Sequence, residues 1–154
     1  IREHYYLHAL IEYNFKTRNF DQALKHLSKI KHSLVIDKIQ IKKWELMVNY
    51  EKREFNALSY FIDSAKHFIY NDDKINRLKK DRLNGFIQVV DKLAQLGFKR
   101  QTEKDLSEEL YILKKEVSGM KYSSKFWLNE KIKKKEKSIK IHRMLFFLRG
   151  VLIV

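Results

Sequence analysis

His4, His8 and Glu12 follow one another at four-residue intervals, so in a helix they share one face and stack two imidazoles and a carboxylate a turn apart. That spacing could begin a metal site, but no further ligand accompanies it, the chain has no cysteine, and no HExxH pair occurs. His26, His32, His67 and His142 have no nucleophile or acid at a spacing that would make a triad. The adjacent carboxylates Asp72-Asp73 and Glu108-Glu109 lack the contrasting surroundings that drive two pKa values apart for acid and base work. Gly85, Gly97, Gly119 and Gly150 are isolated, so no glycine-rich loop can cradle a phosphate. The expectation is a non-catalytic chain with neither metal nor cofactor.

Charge is the other chemical signal. The net charge is +14, and between Lys131 and Arg143 the cations Lys131, Lys133, Lys134, Lys135, Lys137, Lys140 and Arg143 face a single acid, Glu136. Such a run can bind nucleic-acid phosphates or an anionic membrane surface. It can equally come from a composition rich in Lys, Ile, Asn, Tyr and Phe and free of Pro, which an AT-rich coding sequence produces whatever the function. Met144 to Val154 is apolar apart from Arg149 and Gly150, far short of the about 20 residues a spanning helix needs. It could anchor a helix in a membrane surface or pack on neighbours. The absence of cysteine suits a reducing, cytoplasmic setting.

The elements that must carry these residues are helical. With no proline and four glycines the chain lacks the punctuation of strands and tight turns, and an all-α fold is expected. Tyr6, Leu7, Leu10, Ile11 and Asn14 place a first helix over about Arg2 to Thr17, with a turn at Arg18-Asn19. A second helix opens at Phe20, with Asp21 at the positive end of its dipole, and buries Ala23, Leu24, Leu27 and Ile30. The cycle repeats in a helix through Trp44, a turn at Arg53-Glu54, and a helix from Phe55 to Ile69 with Ala57, Leu58, Phe61 and Ala65 inward. At an offset of 34 residues Leu7 answers Ile41, Leu10 answers Trp44, Ala23 answers Ala57, Leu24 answers Leu58 and Leu27 answers Phe61. The offset fails next at Asp91. Three further helices are expected: from about Lys74 to Leu96, ended by Gly97; from Thr102 as N-cap; and from about Ser124 through the basic run into the apolar tail.

The residues that carry this offset resemble the tetratricopeptide repeat, a helix-turn-helix unit of that length. Asn19-Phe20-Asp21-Gln22-Ala23-Leu24 matches the turn aromatic and the small second-helix residue of its pattern. Glu54-Phe55-Asn56-Ala57-Leu58 matches with the aromatic displaced by one. Ile11 and Glu45 stand where the pattern has a small residue, and the closing proline is absent. The downstream helices look like the C-terminal part of bacterial proteins built on such repeats. The resemblance implies two hairpins over 1–70, capping helices over 71–130 and a basic, then apolar, tail over 131–154. It implies a superhelical solenoid with a concave groove that holds a peptide or helix of a protein partner. The groove positions, by register, are Tyr5, His8, Glu12, Phe15 and Lys16, then Ile39, Lys42, Leu46, Asn49 and Tyr50. Beginning at Ile1 within a helical pattern, the chain is expected to be part of a longer array and to pack on upstream repeats.

Overall fold

The computed structural model describes residues 2–30, 35–96, 102–121 and 124–151. Among them it is all-helical, with α1 (Arg2–Lys16), α2 (Phe20–Leu27), α3 (Val35–Lys52), α4 (Phe55–Asn71), α5 (Arg77–Gln95), α6 (Glu103–Ser118) and α7 (Lys125–Val151). The chain divides into two compact units, residues 1–91 and 92–154. The division falls within α5, not at 70 or at 130, and the basic and apolar parts of the tail belong to one helix with residues Lys125 to Glu130.

In the first unit each of the first four helices packs on its neighbour in chain order, α1 on α2, α2 on α3 and α3 on α4. The turns within the two hairpins are built alike. Arg18 and Arg53 take the left-handed conformation, with φ of 62° and 60°. Around the first, the Asn19 N–H donates to the Asn14 carbonyl at 2.7 Å and the Arg18 N–H to the Phe15 carbonyl at 3.1 Å. Around the second, Glu54 donates to Asn49 at 3.2 Å and Arg53 to Tyr50 at 3.1 Å. These are the paired six-to-one and five-to-two bonds of the Schellman motif, which satisfy the last carbonyls of a helix. Phe20 and Phe55 then begin the next helix at once, after N-cap residues Asn19 and Glu54 of near-identical backbone. Asn14 and Asn49, both buried, donate their Nδ2 to the carbonyls of Leu10 and Glu45 at 2.7 Å. A buried amide of this kind is satisfied by its own helix, one turn back.

The equivalence of the two hairpins therefore runs at 35 residues, one more than the sequence suggests. Arg18 matches Arg53, Asn14 matches Asn49 and Phe20 matches Phe55. The fully buried Ala23 matches Leu58, also 0% exposed, and Leu27 and Ile30 match Ile62 and Ala65. Ala57 and Phe61, expected inward, are only half-buried. The sequence match of Ala23 to Ala57 pairs residues of like size, whereas the left-handed turn residue fixes where the second helix starts and hence which side chain meets α3. Tyr6, expected on the core face of α1, is exposed, while Leu7, Ile11 and Asn14 are buried there.

A core of Leu7, Ile11, Ala23, Leu27, Ile30, Ile41 and Val48 joins the first three helices. Phe15 lies edge-on to Phe20 and to Trp44, with ring centroids 5.7 and 5.1 Å apart. Lys52 bonds Asp21 at 2.7 Å and Glu54 at 2.9 Å, tying the end of α3 to the start of α2 and to its own turn. A third hairpin would place its turn 35 residues beyond Arg53, at Gln88, but α5 runs through that position unbroken. Asp91, where the 34-residue offset fails, faces Lys66 at 3.6 Å.

In the second unit α6 packs on α7. Thr102 caps α6 as expected, in a capping box: its Oγ1 accepts from the Asp105 N–H, and its own N–H donates to Asp105 Oδ2, both at 3.2 Å. Leu110, Leu113 and Val117 of α6 and Trp127, Leu128 and Ile132 of α7 are buried. Lys114 bonds Glu136 at 3.0 Å and Arg143 bonds Glu103 at 2.6 Å, so the start of α6 lies by the far part of α7 and the two helices run antiparallel. Gly97, expected to end the preceding helix, lies outside the described residues.

Candidate functional site

The groove positions inferred by register divide into an exposed set and an interior set. On α1, Tyr5, Glu12 and Lys16 are exposed, His8 and Phe15 half-buried. Glu12 and Lys16 form an ion pair at 2.6 Å along the helix. Phe15 is engaged by Phe20 and Trp44, so its ring packs the hairpins together. On α3 the register does not produce an open wall. Leu46 and Asn49 are closed off from solvent at 0% and 1% exposure, and Asn49 is committed to the Glu45 carbonyl. Lys42 is half-buried, held by Glu45 at 2.9 Å and by Ser64 of α4 at 3.1 Å. Ile39 and Tyr50 are half-buried. Burial, followed by the neighbouring Glu51, pushes the Tyr50 phenol up to about 12. The physical reason is that α3 is covered on two sides, by α2 and by α4, whereas α1 packs chiefly on α2, with Phe15 reaching Trp44 of α3.

What α1 does present is aromatic. At 100° per residue, Leu7, Ile11 and Asn14 define its inner face, and Tyr5, Tyr6, Ala9, Glu12, Tyr13 and Lys16 lie opposite. Tyr5, Tyr6 and Tyr13 are 73%, 63% and 65% exposed. Tyr6, Ala9 and Tyr13, at spacings of three and four, set a methyl between two rings. Tyr6 and Tyr13 are absent from the register-derived set, although their seven-residue spacing on the side away from Leu7 and Ile11 marks them. Apolar periodicity alone assigns Tyr6 to the core.

The basic run resolves into residues with different surroundings. Lys131 is buried, with its ammonium 5.6 Å from the Trp127 ring centroid and 3.3 Å from Glu130. Lys134 bonds Glu130 at 2.9 Å, and this bond holds the Glu130 carboxyl below the usual carboxylate range. Arg143 is taken by Glu103, and Lys135 is half-buried. Lys133, Lys137 and Lys140 are exposed and have no ion-pair partner among the described residues. Beside the Arg143–Glu103 pair, a shallow cleft of about 660 Å³ runs along α6, past the exposed Tyr111 and Ile112.

Elsewhere in the first unit, Lys43 is buried with its ammonium 6.0 Å from the Phe86 ring centroid; burial, aided by Arg82, lowers its pKa. His26 Nδ1 is a buried atom without a hydrogen-bond partner. Among the described residues no three His, Asp or Glu side chains gather as a metal site, and no helix is long and apolar enough to cross a membrane. The side chain of His4 and the residues His32 and 152–154 lie outside the described residues. No protein-family model, curated protein or solved structure matches the chain.

Proposed function

We propose that the chain is a non-catalytic helical-repeat scaffold of the tetratricopeptide type, whose hairpins stack as a solenoid and whose first helix docks a peptide or helix of a protein partner. The observation that carries this reading is the outer face of α1, where Tyr5, Tyr6 and Tyr13 stand exposed around Ala9. Tyrosine joins a large apolar area to a polar tip with few rotamers to freeze, and it is enriched where proteins bind one another. A small residue between two large ones lets a partner backbone approach the helix. The repeated turns support the repeat assignment, because Arg18 and Arg53 take the same left-handed conformation with the same pair of backbone bonds between successive helices. An upstream repeat of the same protein would meet the same face, as expected for stacked hairpins that cannot bury their surfaces alone.

The test is selection of peptides from a displayed library on the 154-residue chain. Binding is then remeasured against Tyr6→Ala, Tyr13→Ala and the pair. Truncation of an anchoring tyrosine costs about 2 kcal/mol, so a selected peptide should bind each single variant roughly 30-fold more weakly. Selected peptides that bind the double variant as tightly as the parent chain would place docking elsewhere.

A further inference from the structure

The outer stripe of α7 points to a second, separate surface. Numbered at 100° per residue, Phe126, Lys133, Lys137, Lys140 and Met144 fall within about 60° of arc. Trp127, Leu128, Lys131 and Ile132, which are buried, centre on the opposite side of the helix. The stripe thus faces solvent along its whole length, with Phe126 79% and Met144 57% exposed at its two ends. Both acids of α7 are already occupied, Glu130 by Lys134 and Lys131, and Glu136 by Lys114. Lys133, Lys137 and Lys140 therefore stand as uncompensated cations on one line. Past them Ile141, Met144 and Leu145 are exposed aliphatic side chains, and the helix continues to Val151 through a sequence of Phe146, Phe147 and Leu148.

We propose that α7 lays this stripe on an anionic phospholipid surface, the three lysines against headgroups and the apolar residues at its far end entering the acyl boundary. Charge complementarity alone would suit nucleic acid as well. What favours lipid is the far end of the helix, where Met144 on the stripe and Ile141 and Leu145 beside it are exposed aliphatic side chains. These gain from an acyl environment and cannot stack on a base, Phe126 at the opposite end being the stripe's one ring among the described residues. No helix among the described residues is long and apolar enough to cross a membrane, and the proposal is of a helix lying on the surface. The surface is independent of the α1 face and of the scaffold reading.

The experiment is flotation of the 154-residue chain with vesicles of phosphatidylcholine alone and with 30% phosphatidylserine, at about 0.1 M salt. The chain should float with the anionic vesicles and stay behind with the neutral ones. Each lysine near such a surface contributes about fivefold, so Lys133→Gln/Lys137→Gln/Lys140→Gln should weaken binding by roughly 100-fold. A control, Lys25→Gln/Lys29→Gln/Lys79→Gln, removes the same charge from exposed positions elsewhere and should leave binding within threefold. Met144→Ser/Leu145→Ser should weaken vesicle binding and leave any binding to a single-stranded oligonucleotide unchanged. Four results would each overturn the proposal: no binding to anionic vesicles, equal binding to neutral ones, equal losses in the two triple variants, or vesicle binding indifferent to Met144→Ser/Leu145→Ser. Circular dichroism of each variant confirms that the helix persists.

Discussion

Replacing Arg18 or Arg53 with glycine should stabilise the first unit, and by the same amount at each site. Both residues hold φ near +60° at the position after a helix where glycine is usual. A side chain with a Cβ pays about 1–2 kcal/mol in that conformation. Glycine removes this strain but gives the unfolded chain more freedom, at about 0.5–1 kcal/mol. The net gain is about 0.5–1 kcal/mol per site. Neither guanidinium forms an ion pair among the described residues, so little is lost with the side chain. The pair Arg18→Gly/Arg53→Gly should then gain about 1–2 kcal/mol, which for a chain of this size corresponds to about 3–6 °C in Tm. Urea melts followed by Trp44 fluorescence in a Trp127→Phe background report on the first unit, because Trp44 packs on Phe15 directly beside the first turn. Arg18→Ala and Arg53→Ala keep the Cβ and should stay within about 0.5 kcal/mol of the parent. A loss of stability with glycine at either site, or a gain with alanine equal to that with glycine, would show that the left-handed turn is not what joins these helices. Unequal effects at the two sites would undo the 35-residue equivalence.

Two further predictions test the interior. Ala23 and Leu58 are structurally equivalent and fully buried while Ala57 is half-buried, so Ala23→Leu should cost about 1–3 kcal/mol by overpacking and Leu58→Ala about 2–5 kcal/mol by leaving a cavity. Ala57→Leu should change stability by less than about 0.5 kcal/mol, and a large loss there in the same urea melts would restore the 34-residue register. Lys43→Met removes a buried ammonium while keeping an unbranched side chain over Phe86, and should raise stability at pH 7 by about 1 kcal/mol. Because the folded pKa of Lys43 is lowered, the unfolded chain holds that proton to higher pH than the folded one. Stability should therefore rise with pH across the interval up to the unfolded value near 10.5, as the burial penalty is relieved. Urea melts at successive pH values should show a shallower rise in Lys43→Met, and an unchanged slope would refute the assignment.

The succession of helices was legible in the chain itself. Absent proline, isolated glycines and apolar residues at three- and four-residue spacing determine helices and their rough limits, because those preferences are local to the backbone. The turns at Arg18 and Arg53 and the cap at Thr102 were equally readable, being set within a few residues. Register and exposure were not local. The sequence pairs Ala23 with Ala57 by size, but a left-handed residue and its two hydrogen bonds place Leu58 inward. Nothing in Leu46 or Asn49 tells them from a groove wall until α2 and α4 cover α3 from both sides. Tyr6 looks like a core residue until Leu7 and Ile11 turn the other face of α1 inward. The basic run was visible as seven cations, and the pairing of Lys131 and Lys134 with Glu130 is local to α7. Yet only tertiary packing buried Lys131 and brought Glu103 to Arg143, while leaving Lys133, Lys137 and Lys140 without an acid among the described residues. Charge is a property of the sequence, whereas an uncompensated charge depends on which acids the fold brings within reach.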